Sequence, residues 1–158
     1  DAVFVVAGEG ELLESLARRV AERGIEGGFR FLGFQSDVGG LLRAFDVFAF
    51  PSIKEGLGTS VLDAFLLERP VVASRVGGIP EMVRHRENGL LVQPGDAAAL
   101  GAAIEETLAD PAGGRRMGAA GRRTALESFS VDSMVEKTLD AYHEVLKNGG
   151  GQDRPPGK

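Results

Sequence analysis

The sequence predicts an α/β fold, a doubly wound parallel sheet followed by C-terminal helices. Three observations carry this reading. Short, unbroken apolar runs recur at residues 2–7, 47–50, 71–73 and 90–92, as expected of strands buried on both faces of a parallel sheet. Stretches with helical apolar spacing separate these runs, and strand–helix alternation is the signature of parallel α/β architecture. From Ala97 onward the pattern is helical only.

Taken in order, the first strand ends at Gly8-Glu9-Gly10. Leu12, Leu13, Leu16, Ala17 and Val20 then follow at helix spacing, with Gly24 as a stop signal. Residues 29–32 read as a second strand, 38–45 as a short helix and 47–50 as a third strand stopped by Pro51. A helix covers 61–67 and opens near Thr59; Pro70 precedes a fourth strand at 71–74. Gly77-Gly78-Ile79-Pro80 punctuates, with Pro80 suited to the first position of a short helix. Asn88-Gly89 turns into a fifth strand at 90–92, and Pro94-Gly95-Asp96 turns out of it. Asp96, Asp110 and Ser130 are N-cap candidates for three closing helices. The last of these gathers Val131, Met134, Val135, Leu139, Tyr142 and Leu146 on one face. Residues 1–147 are therefore read as one domain. Residues 148–158 offer no apolar side chain to bury and are expected to be a disordered tail. The chain opens without methionine, directly in an apolar run, so it is expected to be truncated at its N-terminal edge.

Composition narrows the chemistry. The chain has 158 residues with 18 Lys and Arg against 23 Asp and Glu, a net charge of −5, which argues against a nucleic-acid binder. With no cysteine and only His85 and His143, a disulfide framework, thiol catalysis and a Cys- or His-rich metal centre have no ligands to use. No apolar run approaches the roughly 18 residues of a membrane span. A soluble, cytoplasmic domain is expected.

In such sheets ligands bind beyond the carboxyl ends of the strands. The segment after Phe50 is the most informative: Pro51-Ser52-Ile53-Lys54-Glu55-Gly56-Leu57-Gly58-Thr59, continuing to Asp63. Gly56 and Gly58 allow close backbone approach, and the helix opening near Thr59 aims its N–H groups and positive dipole end at the same place. That suits a phosphate. Glu55, an acceptor only, suits hydroxyls, and Asp63 shares a helix face with Thr59. The combination fits a ligand with phosphate and polyol parts. The plainer reading is a strand-to-helix turn, with Asp63 a dipole-favoured acid worth about 0.3–1 kcal/mol.

Read as a whole, the chain resembles the nucleotide-sugar-binding half of retaining GT-B glycosyltransferases of family 4 (group 1). The blocks that carry the likeness are Ala7-Gly8-Glu9-Gly10, Phe31-Leu32-Gly33-Phe34, Pro51-Ser52 with Glu55-Gly56-Leu57-Gly58, Gly77-Gly78-Ile79-Pro80-Glu81, Asn88-Gly89-Leu90-Leu91-Val92 with Pro94-Gly95-Asp96, and Phe129-Ser130. The resemblance implies a Rossmann-like domain that binds a nucleoside-diphosphate sugar as donor, without metal or cofactor. It assigns Glu55 to the donor sugar's hydroxyls and as the residue placed at the reaction centre. Asp63 goes to the ribose, the backbone of Gly56, Leu57, Gly58 and Thr59 to sugar and diphosphate, Gly8 and Gly10 to the approach of the first turn, and Phe34 and Gln35 to the nucleobase. Two departures stand out. Asp63 is one methylene shorter than the family's usual Glu, and the family's pyrophosphate-binding Arg and Lys, like its acceptor domain, correspond to positions before Asp1. The fragment alone is thus expected to transfer nothing, and the full enzyme to make peripheral contact with the inner face of a membrane, since many relatives use lipid-linked acceptors.

The other readings are weaker. Gly8-Glu9-Gly10 as a dinucleotide fingerprint lacks its third glycine, because Leu13 stands there, and no acid ends the second strand. Gly77-Gly78 is read as turn glycines with a backbone contact to ligand. Lys54 and Arg75 are exposed loop cations or phosphate partners, and His85 is a surface-loop residue. Arg115-Arg116 and Arg122-Arg123 share one helix face, either solvated or drawn to anionic lipid. A non-catalytic nucleotide-binding or interaction domain of the same descent is the alternative function.

Overall fold

A computed structural model describes residues 2–149. The strands are β1 (Phe4–Ala7), β2 (Phe29–Gly33), β3 (Phe48–Phe50), β4 (Val71–Ser74) and β5 (Leu90–Val92). The helices are α1 (Leu13–Glu22), α2 (Val38–Arg43), α3 (Thr59–Leu66), α4 (Ile79–Met82), α5 (Ala97–Ala109), α6 (Pro111–Ser128) and α7 (Val131–Gly149). Every strand pairing is parallel, which bears out the α/β reading. The strands divide into a two-stranded sheet, β1-β2, and a three-stranded sheet, β3-β4-β5. The chain likewise forms two compact units that divide between Leu41 and Leu42. Apolar runs reveal strands but not which strands pair.

In the first unit Phe4 and Phe29 face each other across the β1–β2 pair, their rings stacked at 5.1 Å. The register shifts between Val6 and Ala7, and Gly8 N–H then donates to Gly33 O at 2.7 Å, joining the carboxyl ends of both strands.

The core of the second unit is organised by β4, buried at all four residues. Val71 and Ala73 pack into one cluster with Val61, Phe65, Ile79 and Met82, while Val72 packs into another with Leu90, Val92 and Ala103. α6 lays Gly114, Gly118, Gly121 and Ala125 inward, at helical spacing. The expected caps are made: Asp96 accepts from Ala99 N–H at 2.8 Å, Asp110 from Gly113 N–H at 2.9 Å and Ser130 from Ser133 N–H at 3.2 Å. α4 starts at Ile79, so Pro80 takes its second position rather than its first.

α7 runs to Gly149, so Asn148 and Gly149 continue the helix rather than opening a tail. Propagating backbone bonds carry a helix past its last apolar residue. The rest of the expected tail, residues 150–158, lies outside the described residues. The apolar face read for α7 exists, yet it faces outward: Val131 is 71% exposed, Tyr142 65% and Leu146 71%.

Candidate functional site

Within the second unit the loop from Pro51 to Gly58 leaves the carboxyl end of β3 and runs into α3, where α/β ligands sit. Gly58 is the N-cap residue in the left-handed region (φ 73), and no side chain caps the helix. A Cβ at Gly58 would collide with Ile79 Cδ1 and lie 3.4 Å from Phe50 Cε1, so only glycine fits. The uncapped first turn keeps backbone N–H groups and the positive dipole end available to an anion.

Glu55 is half-buried, and its Oε1 accepts from Gly56 N–H at 3.0 Å. The carboxylate is therefore held against its own loop rather than free to sweep solvent. Asp63 is exposed on α3, one turn from exposed Thr59; Leu57 is exposed and Gly58 buried. Lys54 and Arg75 are both exposed.

In the first unit Gly8 has φ 124 and Gly33 φ 64, and their hydrogen bond brings the turn after β1 beside the end of β2. A Cβ at Gly8 or at Gly10 would meet no atom within 4 Å, so both glycines border open space. Phe34, just past β2, is 71% exposed, an aromatic side chain open to solvent. The Gln35 side chain donates to Leu32 O at 2.8 Å, which turns its amide back onto the strand end.

Several residues take roles that their sequence context hid. Asn88, read as a turn residue, is fully buried. It donates to Met82 O at 2.9 Å and to Thr124 Oγ1 at 3.0 Å, and accepts from Arg84 N–H at 2.7 Å. His85 Nδ1 accepts from Leu91 N–H at 3.0 Å, tying an exposed loop to β5. Two of the four paired arginines of α6 have carboxylate partners: Arg116 with Asp110 at 3.7 Å and Arg122 with Glu68 at 3.3 Å. A groove of about 630 Å³ along α7, lined by Leu62, Phe129, Met134, Lys137, Tyr142 and others, includes none of the expected site residues. Among the described residues no cluster of three or more His, Cys, Asp or Glu could hold a metal, and no helix is long and apolar enough to cross a membrane.

Parallel sheets with flanking and C-terminal helices, and a glycine loop leading from a strand end into a helix, define a Rossmann-like domain of the GT-B class. The chain belongs to the family described as "Glycosyl transferases group 1", whose signature matches residues 1–110. The lipopolysaccharide core biosynthesis glycosyltransferase LpsE of Rhizobium meliloti is 35% identical over 139 residues, covering 88% of this chain and 40% of LpsE. Anabaena Alr3699/HepE, crystallised in complex with UDP, superposes with a TM-score of 0.83 at 26% identity, over 90% of this chain and 41% of that one. The C-terminal domain of the group 1 family protein LpcC from Francisella tularensis matches with a TM-score of 0.73 at 25% identity, over 82% of this chain and 70% of that one. The chain thus corresponds to the C-terminal domain of a group 1 glycosyltransferase, and it spans about two fifths of the length of LpsE and HepE.

Proposed function

We propose that this chain is the donor-binding half of a retaining glycosyltransferase, which moves a sugar from a nucleoside-diphosphate sugar to an acceptor hydroxyl. The observation that carries the proposal is the loop at the N-terminus of α3, where Gly58 in the left-handed region and a tethered Glu55 carboxylate stand together. HepE, solved with UDP and with UDP-glucose, supports the same ligand class.

In this reading the Gly56–Thr59 backbone and the α3 dipole stabilise the departing diphosphate electrostatically, and the protein otherwise orients the donor. Glu55 receives sugar hydroxyls and stabilises positive charge at the ring. The bond from the anomeric carbon to the diphosphate oxygen breaks, the acceptor oxygen bonds to that carbon on the same face, and its proton leaves with the diphosphate. No protein base is needed for that step. Asp63 takes the ribose, directly or through a water given its shorter reach. The acceptor is held by protein outside this chain, so the chain alone binds donor and transfers nothing. For the first unit the assignments of Gly8, Gly10, Phe34 and Gln35 form a separate claim: Phe34→Ala is expected to weaken UDP binding severalfold, and an unchanged affinity would remove the nucleobase role.

The test is calorimetric titration with UDP, GDP and ADP, then with the matching sugars. Asp63→Ala is expected to weaken the bare nucleotide, and Glu55→Ala mainly the sugar conjugate. Loss of one charge-assisted hydrogen bond costs about 1.5–3 kcal/mol, roughly ten- to a hundredfold. Binding that neither substitution alters would overturn the site assignment.

A further inference from the structure

Two loops of the second unit interlock, largely through their backbones. Gly78 N–H donates to Gly56 O at 2.7 Å. A Cβ at Gly77 would overlap Glu55 O, and one at Gly78 would lie 2.9 Å from Gly56 O and 3.4 Å from Leu57 Cα. The next residue, Ile79, is fully buried and abuts Gly58 through Cδ1. Residues 77–79 therefore touch four consecutive residues of the Glu55 loop.

The consequence follows from peptide planarity. Glu55 O and Gly56 N–H lie on opposite edges of one rigid plane. Gly77 packs against the first edge, where a Cβ would not fit, and the second carries the Glu55 carboxylate through the 3.0 Å bond. The following plane is held in turn by the bond from Gly78 N–H to Gly56 O.

We infer that Gly77 and Gly78 are positioning residues for Glu55: with no side chain of their own, they admit and lock the backbone that presents its carboxylate. The inference rests on the proposed role of Glu55 and extends it to a neighbouring loop. Glycines needed only for their own turn would predict otherwise at Gly78. That residue has φ −77, which alanine adopts without strain, so Gly78→Ala isolates the contact from the conformation.

The experiment compares Gly78→Ala, Glu55→Ala and Gly95→Ala in the full chain. Gly95 has φ 79 with open space around it, so its substitution strains the backbone far from any contact. Amide NMR without ligand reads the loop, and calorimetry reads the preference for UDP-glucose over UDP. Gly78→Ala is expected to shift the Gly56 and Gly58 amide signals and to cut the preference about three- to tenfold. Gly95→Ala lowers Tm and changes neither readout. The inference fails if Gly78→Ala lowers Tm but leaves loop signals and preference as in the parent. Should Gly78→Ala not fold, Ile79→Val, which removes only the methyl abutting Gly58, must shift the Gly58 amide or the inference fails. The two readings separate cleanly. An unchanged preference in Glu55→Ala, or no binding by the parent, sinks the role of Glu55, while the ligand-free amide signals still judge the coupling.

Discussion

Asn88 shows how much one side chain can hold together. Its amide satisfies the end of α4, the Arg84 backbone and Thr124 on α6 from a fully buried position. Removing it orphans buried polar groups, each costing about 1–3 kcal/mol. Asn88→Ala is therefore expected to lower stability by about 2–3 kcal/mol, read as a denaturant midpoint shift at constant m value. Asn88→Asp should cost more, because a carboxylate cannot donate to Met82 O and would carry buried charge. The sequence shows Asn-Gly, the strongest of turn signals, and the turn is real; its buried amide depends on α6, far along the chain. Local signals were legible throughout: Asp96, Asp110 and Ser130 all cap as read, since each bond spans three residues. The turn from β3 into α3 that carries Glu55 is local in the same way. Its lock by Gly77-Gly78 was not, because nothing in the spacing of two loops tells which will touch.

At the scale of the element, α6 is the instructive case. Its buried face is mostly glycine, and a Cβ at Gly118 would overlap the Glu68 carbonyl, while one at Gly121 would strike the Phe65 ring, 2.7 Å from Cε1. Glycine here lets the helix approach α3 closely, at the expense of intrinsic helix propensity. Gly101 on α5 is different, since its Cβ would meet nothing within 4 Å. Gly101→Ala should thus stabilise by about 0.5–1 kcal/mol, whereas Gly118→Ala should destabilise by about 1–3 kcal/mol or more. Thermal or chemical unfolding of the pair checks both signs, and equal effects would refute the packing account. Composition alone cannot separate two helical glycines; only the partner surface does. For α7, likewise, periodicity reported an apolar face correctly but could not report whether anything covers it.

The whole molecule has an uneven distribution of burial. β4 and the inner face of α3 are sealed, while α7 keeps most of its apolar stripe in water. Local opening follows such differences. Native-state hydrogen exchange should find α7 amides exchanging well before those of β4 and α3, and comparable protection would show that α7 has a partner in solution. The α/β class was readable from alternation, because each strand and helix is a local pattern. The division into two units and two sheets was not, because pairing is a long-range choice among similar apolar runs.

That similarity bears on how the second unit finds its alignment while folding. Val71, Val72 and Ala73 are buried whichever face they point to, so sliding β4 by one residue would, over these three, exchange one buried apolar side chain for another. Ordinarily a slip moves core residues into water and is rejected on that ground. Here rejection falls to the flanks: the Pro70 carbonyl takes Phe48 N–H at 2.8 Å, Arg75 N–H meets Val92 O at 2.8 Å, and only a glycine at 77 fits beside the Glu55 peptide. Substitutions there should raise the fraction of chains refolding slowly in stopped-flow experiments, while conservative changes inside β4 should not. The residues that align the sheet are thus the ones that shape the loops beyond it, so a chain that has docked those loops has already proofread its strands.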